Sequence, residues 1–145
     1  MLEYVHRRYG KAIKQYEKAI VCDPNDASYY SNLGTAYFSK KQWEKSMKAY
    51  SRAVSLDPDV FERISHAGIA GQISSPEDQA HFSYVLAKLY AKNGFNDRSL
   101  ECLRRALEDG YKNMNAVYKD TEFTELRKDP RFAALMASHP VSISE

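Results

Sequence analysis

The stretch KAIKQYEKAIVCDPND, residues 11–26, returns as KSMKAYSRAVSLDPDV at residues 45–60, a constant offset of 34. The shift lays Ala12 on Ser46, Tyr16 on Tyr50, Ala19 on Ala53, Ile20 on Val54, Asp23 on Asp57 and Pro24 on Pro58. Small, aromatic and small residues at spacings of four and three share one face of a helix. The Asp-Pro that follows stops that helix, because proline lacks the N–H the ladder needs. Between the copies, YYSNLGTAYF at residues 29–38 carries Leu33 and Tyr37 four apart, with Gly34 placed to let a partner helix come close.

A second offset, 53, carries Leu33, Gly34, Tyr37, Lys41, Ser46, Tyr50 and Ala53 onto Leu86, Ala87, Tyr90, Gly94, Ser99, Leu103 and Ala106. The excess of 19 residues falls at residues 61–79, FERISHAGIAGQISSPEDQ, read as an insertion that opens with a short helix over about 59–67. Ser75-Pro76-Glu77-Asp78 reads as an N-cap, a proline in the first helical position and an acidic first turn. Helices are therefore predicted at about 8–21, 27–40, 43–56, 76–93 and 96–109, in antiparallel pairs, with shorter ones after.

The 34-residue period, with Tyr30, Leu33, Gly34 and Tyr37 matching W-x2-L-G-x2-Y except for Tyr in place of Trp, resembles the tetratricopeptide repeat. The resemblance implies an all-α superhelix, a solenoid of about two and a half repeats. They would be a partial repeat at 8–26, a full one at 27–60, the insertion at 61–79 and a third at 80–110, all within 1–110. Residues 111–145 then form a capping segment whose Asp129-Pro130-Arg131-Phe132 resembles the DPRF-type ending of many bacterial members. Such a cap covers the apolar face a last repeat would expose to water. The third repeat departs from the pattern at Ala87 and at Gly110-Tyr111, where Asp-Pro is expected. The first lacks most of its leading helix, which points to a truncated chain or to a repeat completed by another molecule.

By the same resemblance, function sits in a concave groove lined by the leading helices, where a protein or peptide partner binds. Projection away from the core positions assigns Ser28, Ser31, Asn32, Thr35, Phe38 and Ser39 to that groove on one helix. His81, Tyr84, Val85, Lys88, Ala91 and Lys92 take the corresponding places on another. Phe38 and Tyr84 would cover apolar side chains, Asn32 a ligand backbone, and Lys88 with Lys92 a carboxylate. The family's clamp for an acidic chaperone tail is not expected, because its basic positions fall at His81 and Val85. The alternative is an assembly subunit that docks, or pairs with itself, through repeat ends.

Composition narrows the rest. In 145 residues, 43% hydrophobic and 28% charged, one domain can build a core. A net charge of +2 gives no overall case for nucleic acid, and the local basic clusters His6-Arg7-Arg8 and Lys40-Lys41 lack interleaved aromatics. No apolar run approaches the roughly 20 residues that span a bilayer. The compartment stays open, with cytoplasmic favoured. Cys22 and Cys102 have neither metal-ligand nor disulfide-framework spacing. His6, His66, His81 and His139 form no catalytic or metal pattern, and Gly68-Ile69-Ala70-Gly71 follows no strand. No enzyme, cofactor or metal is expected.

Overall fold

The computed structural model describes residues 2–63 and 75–138, which contain helices and no strand. The chain divides into two compact units, residues 1–73 and 74–145. The interior of the expected insertion, with His66 and Gly68 to Gly71, lies outside the described residues, as does His139.

In the first unit α1 spans Leu2–Cys22, α2 Ala27–Ser39, α3 Trp43–Leu56 and α4 Val60–Arg63. Asp26 starts α2 by accepting the Ser28 backbone N–H at 2.9 Å, which satisfies one of the donors a helix leaves open at its N-terminus. The end of α2 closes through Lys41, whose φ of 62° turns the chain so that the Gln42 N–H reaches the Tyr37 carbonyl at 2.9 Å. The helix α3 ends on extended Asp57 ahead of Pro58. Because α2 packs against α1, α3 and α4, it is covered on more than one side.

The seam between α2 and α3 explains the repeated residue types. A methyl group at Gly34 would lie 2.5 Å from a ring carbon of Tyr50, so the ring rests on bare backbone. Ser46 Oγ donates to the Gly34 carbonyl at 2.8 Å. Thr35 Oγ1 donates to the Ser31 carbonyl at 3.1 Å, so the 2.8 Å contact between Thr35 and Tyr50 has the tyrosine hydroxyl as donor. Tyr50 is 0% exposed and meets the Phe61 ring edge-on at 5.2 Å. Burial pushes its phenol pKa well above the ordinary value.

The second unit repeats the seam with one exchange. Its hairpin consists of α5, Pro76–Lys92, and α6, Asn96–Glu108. Ser99 Oγ donates to the Ala87 carbonyl at 2.7 Å, in the register of Ser46 and Gly34. Leu103, at the position of Tyr50, and Ala87, at that of Gly34, are both 0% exposed. The shorter leucine leaves room for the alanine methyl, so the departure from glycine is matched across the seam. As the sequence predicts, Ser75 caps α5 and Pro76 opens it. Gly94 stands where Lys41 does, with φ of 83°, and Gly110, with φ of 76°, stops α6 in the same way. A left-handed residue thus does the work that Asp57-Pro58 does in α3.

Beyond Gly110 the chain runs through three turns of 3-10 helix, Met114–Tyr118, Thr121–Phe123 and Leu126–Lys128, before α7, Pro130–Ser138. Val117, Phe123 and Leu126 are fully buried. Arg127 Nη1 donates to the carbonyls of Val117 at 2.7 Å and Asp120 at 2.9 Å, so carbonyls between turns are not left unpaired. Asp129 accepts the Arg131 backbone N–H at 2.9 Å. The Arg131 guanidinium bonds both Asp129 and Asp97 of α6, while Phe132 is buried. Each residue of Asp-Pro-Arg-Phe therefore has a local task.

The matched exchange is testable by a double-mutant cycle. Gly34→Ala is expected to cost about 1–3 kcal/mol by overpacking, and Tyr50→Leu to cost stability through a cavity and the lost hydroxyl contact. Combined, they should recover at least about 1 kcal/mol relative to the sum of the single changes. Urea denaturation measures this, and strict additivity would show that the two positions do not share the space.

Candidate partner-binding face

Two helices carry the residues expected to meet a ligand, and they place them differently. On α2, Ser28, Asn32 and Ser39 are half-buried, whereas Ser31, Thr35 and Phe38 are buried. Thr35 is engaged by Ser31 and Tyr50, and the Phe38 ring meets Trp43 edge-on at 5.0 Å. Ser28 is held by Asp26 through both its N–H and its hydroxyl. The Ser39 hydroxyl is shielded from solvent and has no hydrogen-bond partner among the described residues. Asn32 forms no side-chain hydrogen bond among the described residues, which leaves two amide donors and a carbonyl acceptor.

On α5 the expected surface is largely occupied by the chain itself. The Tyr111 ring stacks on His81 at 5.6 Å and on Tyr84 at 4.7 Å, with Phe123 5.6 Å from Tyr84 on another side. The Tyr84 hydroxyl donates to Asp120 Oδ2 at 2.7 Å. Lys88 Nζ lies 3.6 Å from that oxygen, 3.8 Å from Glu122 Oε2 and 5.9 Å from the Tyr84 ring centre. Val85 and Ala91 are buried, and Lys92 is exposed.

Thr35, Phe38, Tyr84 and Val85 are thus not open to solvent as the projection expected. The projection treated each helix as having one buried side. Here α5 is covered both by α6 and by the turn at Thr121–Phe123. Asp120, Glu122 and Phe123 carry no sequence expectation, and Tyr111 only that of standing where Asp-Pro is expected. Their signal is weak, a spacing of three from Asp120 to Phe123 to Leu126, which suits 3-10 turns rather than an α-helix.

Electrostatics follow from this covering. Burial first, then the hydrogen bond to Asp120 and the carboxylate charges, push the Tyr84 pKa far above the ordinary phenol value. Burial lowers the His81 pKa, with Lys88 acting in the same direction and Asp78 opposing. Burial also raises that of Tyr111, against a hydrogen bond from Asn113. Among the described residues no cluster of three or more His, Cys, Asp or Glu is arranged to hold a metal, and no helix is long and apolar enough to cross a membrane. Cys22 is exposed and Cys102 buried.

Comparison with known families agrees with this geometry. Residues 8–40 match the family described as TPR repeat, and residues 27–60 the one described as tetratricopeptide repeat. With helices alone among the described residues, the fold is of the all-α tetratricopeptide-repeat class. Residues 8–60 thus match tetratricopeptide-repeat models, and repeats of this kind generally mediate protein–protein interactions. No curated protein gives a significant match.

The buried phenols make alkaline pH a probe of both units. An unfolded tyrosine ionises near pH 10, whereas Tyr50 and Tyr84 stay protonated when folded. Their stabilisation is therefore complete below pH 10 and lost as pH rises above it, by ~1.4 kcal/mol per pH unit for each tyrosine held protonated. Urea midpoints between pH 8 and 11 should fall, and Tyr50→Phe should flatten the fall. A midpoint equally steep in the variant would remove Tyr50 as the cause.

Proposed function

We propose that the protein is a non-enzymatic interaction module that holds a segment of another protein against the face of α2 bearing Ser28, Asn32 and Ser39. The observation that carries this reading is Asn32, a half-buried amide on a repeat helix with no side-chain hydrogen bond among the described residues. Such an amide suits both the N–H and the C=O of an extended backbone. Thr35 and Phe38 support the face from beneath rather than touching the ligand, since both are buried. On α5, Tyr84 and Lys88 already hold Asp120, so a second acidic ligand there would have to displace the chain's own carboxylates. His81 and Lys92 remain partly accessible at the margins of that helix.

A photo-cross-linking residue at position 32 should capture a protein partner, and the same residue at Lys48, exposed on α3, should not. Asn32→Arg should weaken retention of that partner at least tenfold without shifting the melting temperature. Capture from position 48 alone, or retention indifferent to Asn32→Arg, would move the binding face elsewhere.

A further inference from the structure

In a chain that is 28% charged, α2 carries no Asp, Glu, Lys, Arg or His along its 13 residues. The offset of 53 makes that absence informative. It lays Ser28, Thr35 and Ser39 on His81, Lys88 and Lys92, so each basic place on the α5 face is a hydroxyl on α2. It also lays Ser31 on Tyr84 and Asn32 on Val85.

The α5 face shows what its charge attracts. Lys88 Nζ lies 3.6 Å from Asp120 Oδ2 and 3.8 Å from Glu122 Oε2, and the Tyr84 hydroxyl donates to Asp120 at 2.7 Å. Where the helix is basic, the segment that covers it is acidic. On α2 the place of that lysine belongs to Thr35, whose hydroxyl is engaged by the Ser31 carbonyl and by Tyr50. What α2 turns toward a ligand is neutral, the amide of Asn32, unpaired among the described residues, with the hydroxyls of Ser28 and Ser39 to either side. A carboxylate or ammonium brought against Asn32 would lose water without gaining a counter-ion. The charged residues next to this face stand at its ends, Asp23, Asp26 and Asp57 lining a cleft with Ser28, and Lys40 and Lys41 following Ser39. From Ser28 to Ser39 the helix rises about 16.5 Å, the length of about six residues of extended chain.

Resting on the reading of the α2 face given above, we infer that its ligand is an extended segment of another protein with an uncharged core of about six residues, its charged residues confined to the flanks. Asn32 holds the backbone of that core, and recognition there owes nothing to ion pairs.

A displayed library of random peptides about twelve residues long, twice the length of the face, tests this with the full chain. Selected peptides should be depleted of Asp, Glu, Lys and Arg over a core of about six residues. One of them, made synthetically and followed by fluorescence anisotropy, should change affinity less than about twofold between low and high salt, because no ion pair is there to be screened. Asn32→Arg should weaken it about tenfold, since a charge then faces a neutral core. Selection on Ser39→Lys, which places on α2 the charge of Lys92, should bring acids into the core. Charged cores whose binding is still lost in Asn32→Arg, or binding that salt weakens about tenfold, would overturn the inference and leave the α2 face in place. Cores that stay free of acids on Ser39→Lys would overturn it as well, since charge would then play no part in what the face accepts. Peptides indifferent to Asn32→Arg, or a library that yields no binder, would overturn both the inference and the reading beneath it.

Discussion

The ring of Tyr50 lies on the backbone of Gly34, and the hairpin of α2 and α3 is organised around that contact. It sets how closely the helices approach, which brings Ser46 within reach of the Gly34 carbonyl and the Tyr50 hydroxyl within reach of Thr35. A flat side chain on a bare backbone tolerates little change on either side, since interiors pack at crystal-like density. The second hairpin obeys the same constraint with different parts, Leu103 against Ala87, and keeps the serine-to-carbonyl bond. What is constant between the seams is the summed volume and the one polar link, not the residue identities.

The units differ in what the chain does with the leading helix of its hairpin. In the second, aromatic and charged residues that would suit a ligand are paired internally, Tyr84 and Lys88 with Asp120, and His81 with Tyr111. Such a network is costly to open, because it would leave a lysine and a carboxylate short of partners in a partly dry site. In the first, Asn32 keeps its amide unpaired among the described residues. Availability of polar groups, rather than their presence on a repeat helix, separates the two faces.

Much of the fold was legible because repeats impose it twice. The offsets of 34 and 53 located both hairpins, and Ser75-Pro76 marked the start of α5 to the residue. Asp129-Pro130 likewise opened α7. The segment between resisted, since turns of three residues leave almost no periodic trace and take their order from distant partners such as the arginine contacts of Arg127. The candidate site was only partly legible for the same reason. Helical projection names the residues on a face but not the later segment that covers it, so Asn32 is half-buried while Tyr84 and Val85 are buried.

The left-handed residue at the end of α2 carries a consequence for tolerance to change. Lys41 sits at φ of 62°, where its counterpart is Gly94. A side chain in that region is disfavoured by about 1–2 kcal/mol, so the first hairpin holds a small reserve of conformational strain that the second does not. Substitution by glycine would relax it without touching the seam, whereas a β-branched residue would deepen it and loosen the turn that joins α2 to α3. Glycine and asparagine are the residues whose backbone preferences suit this surface position.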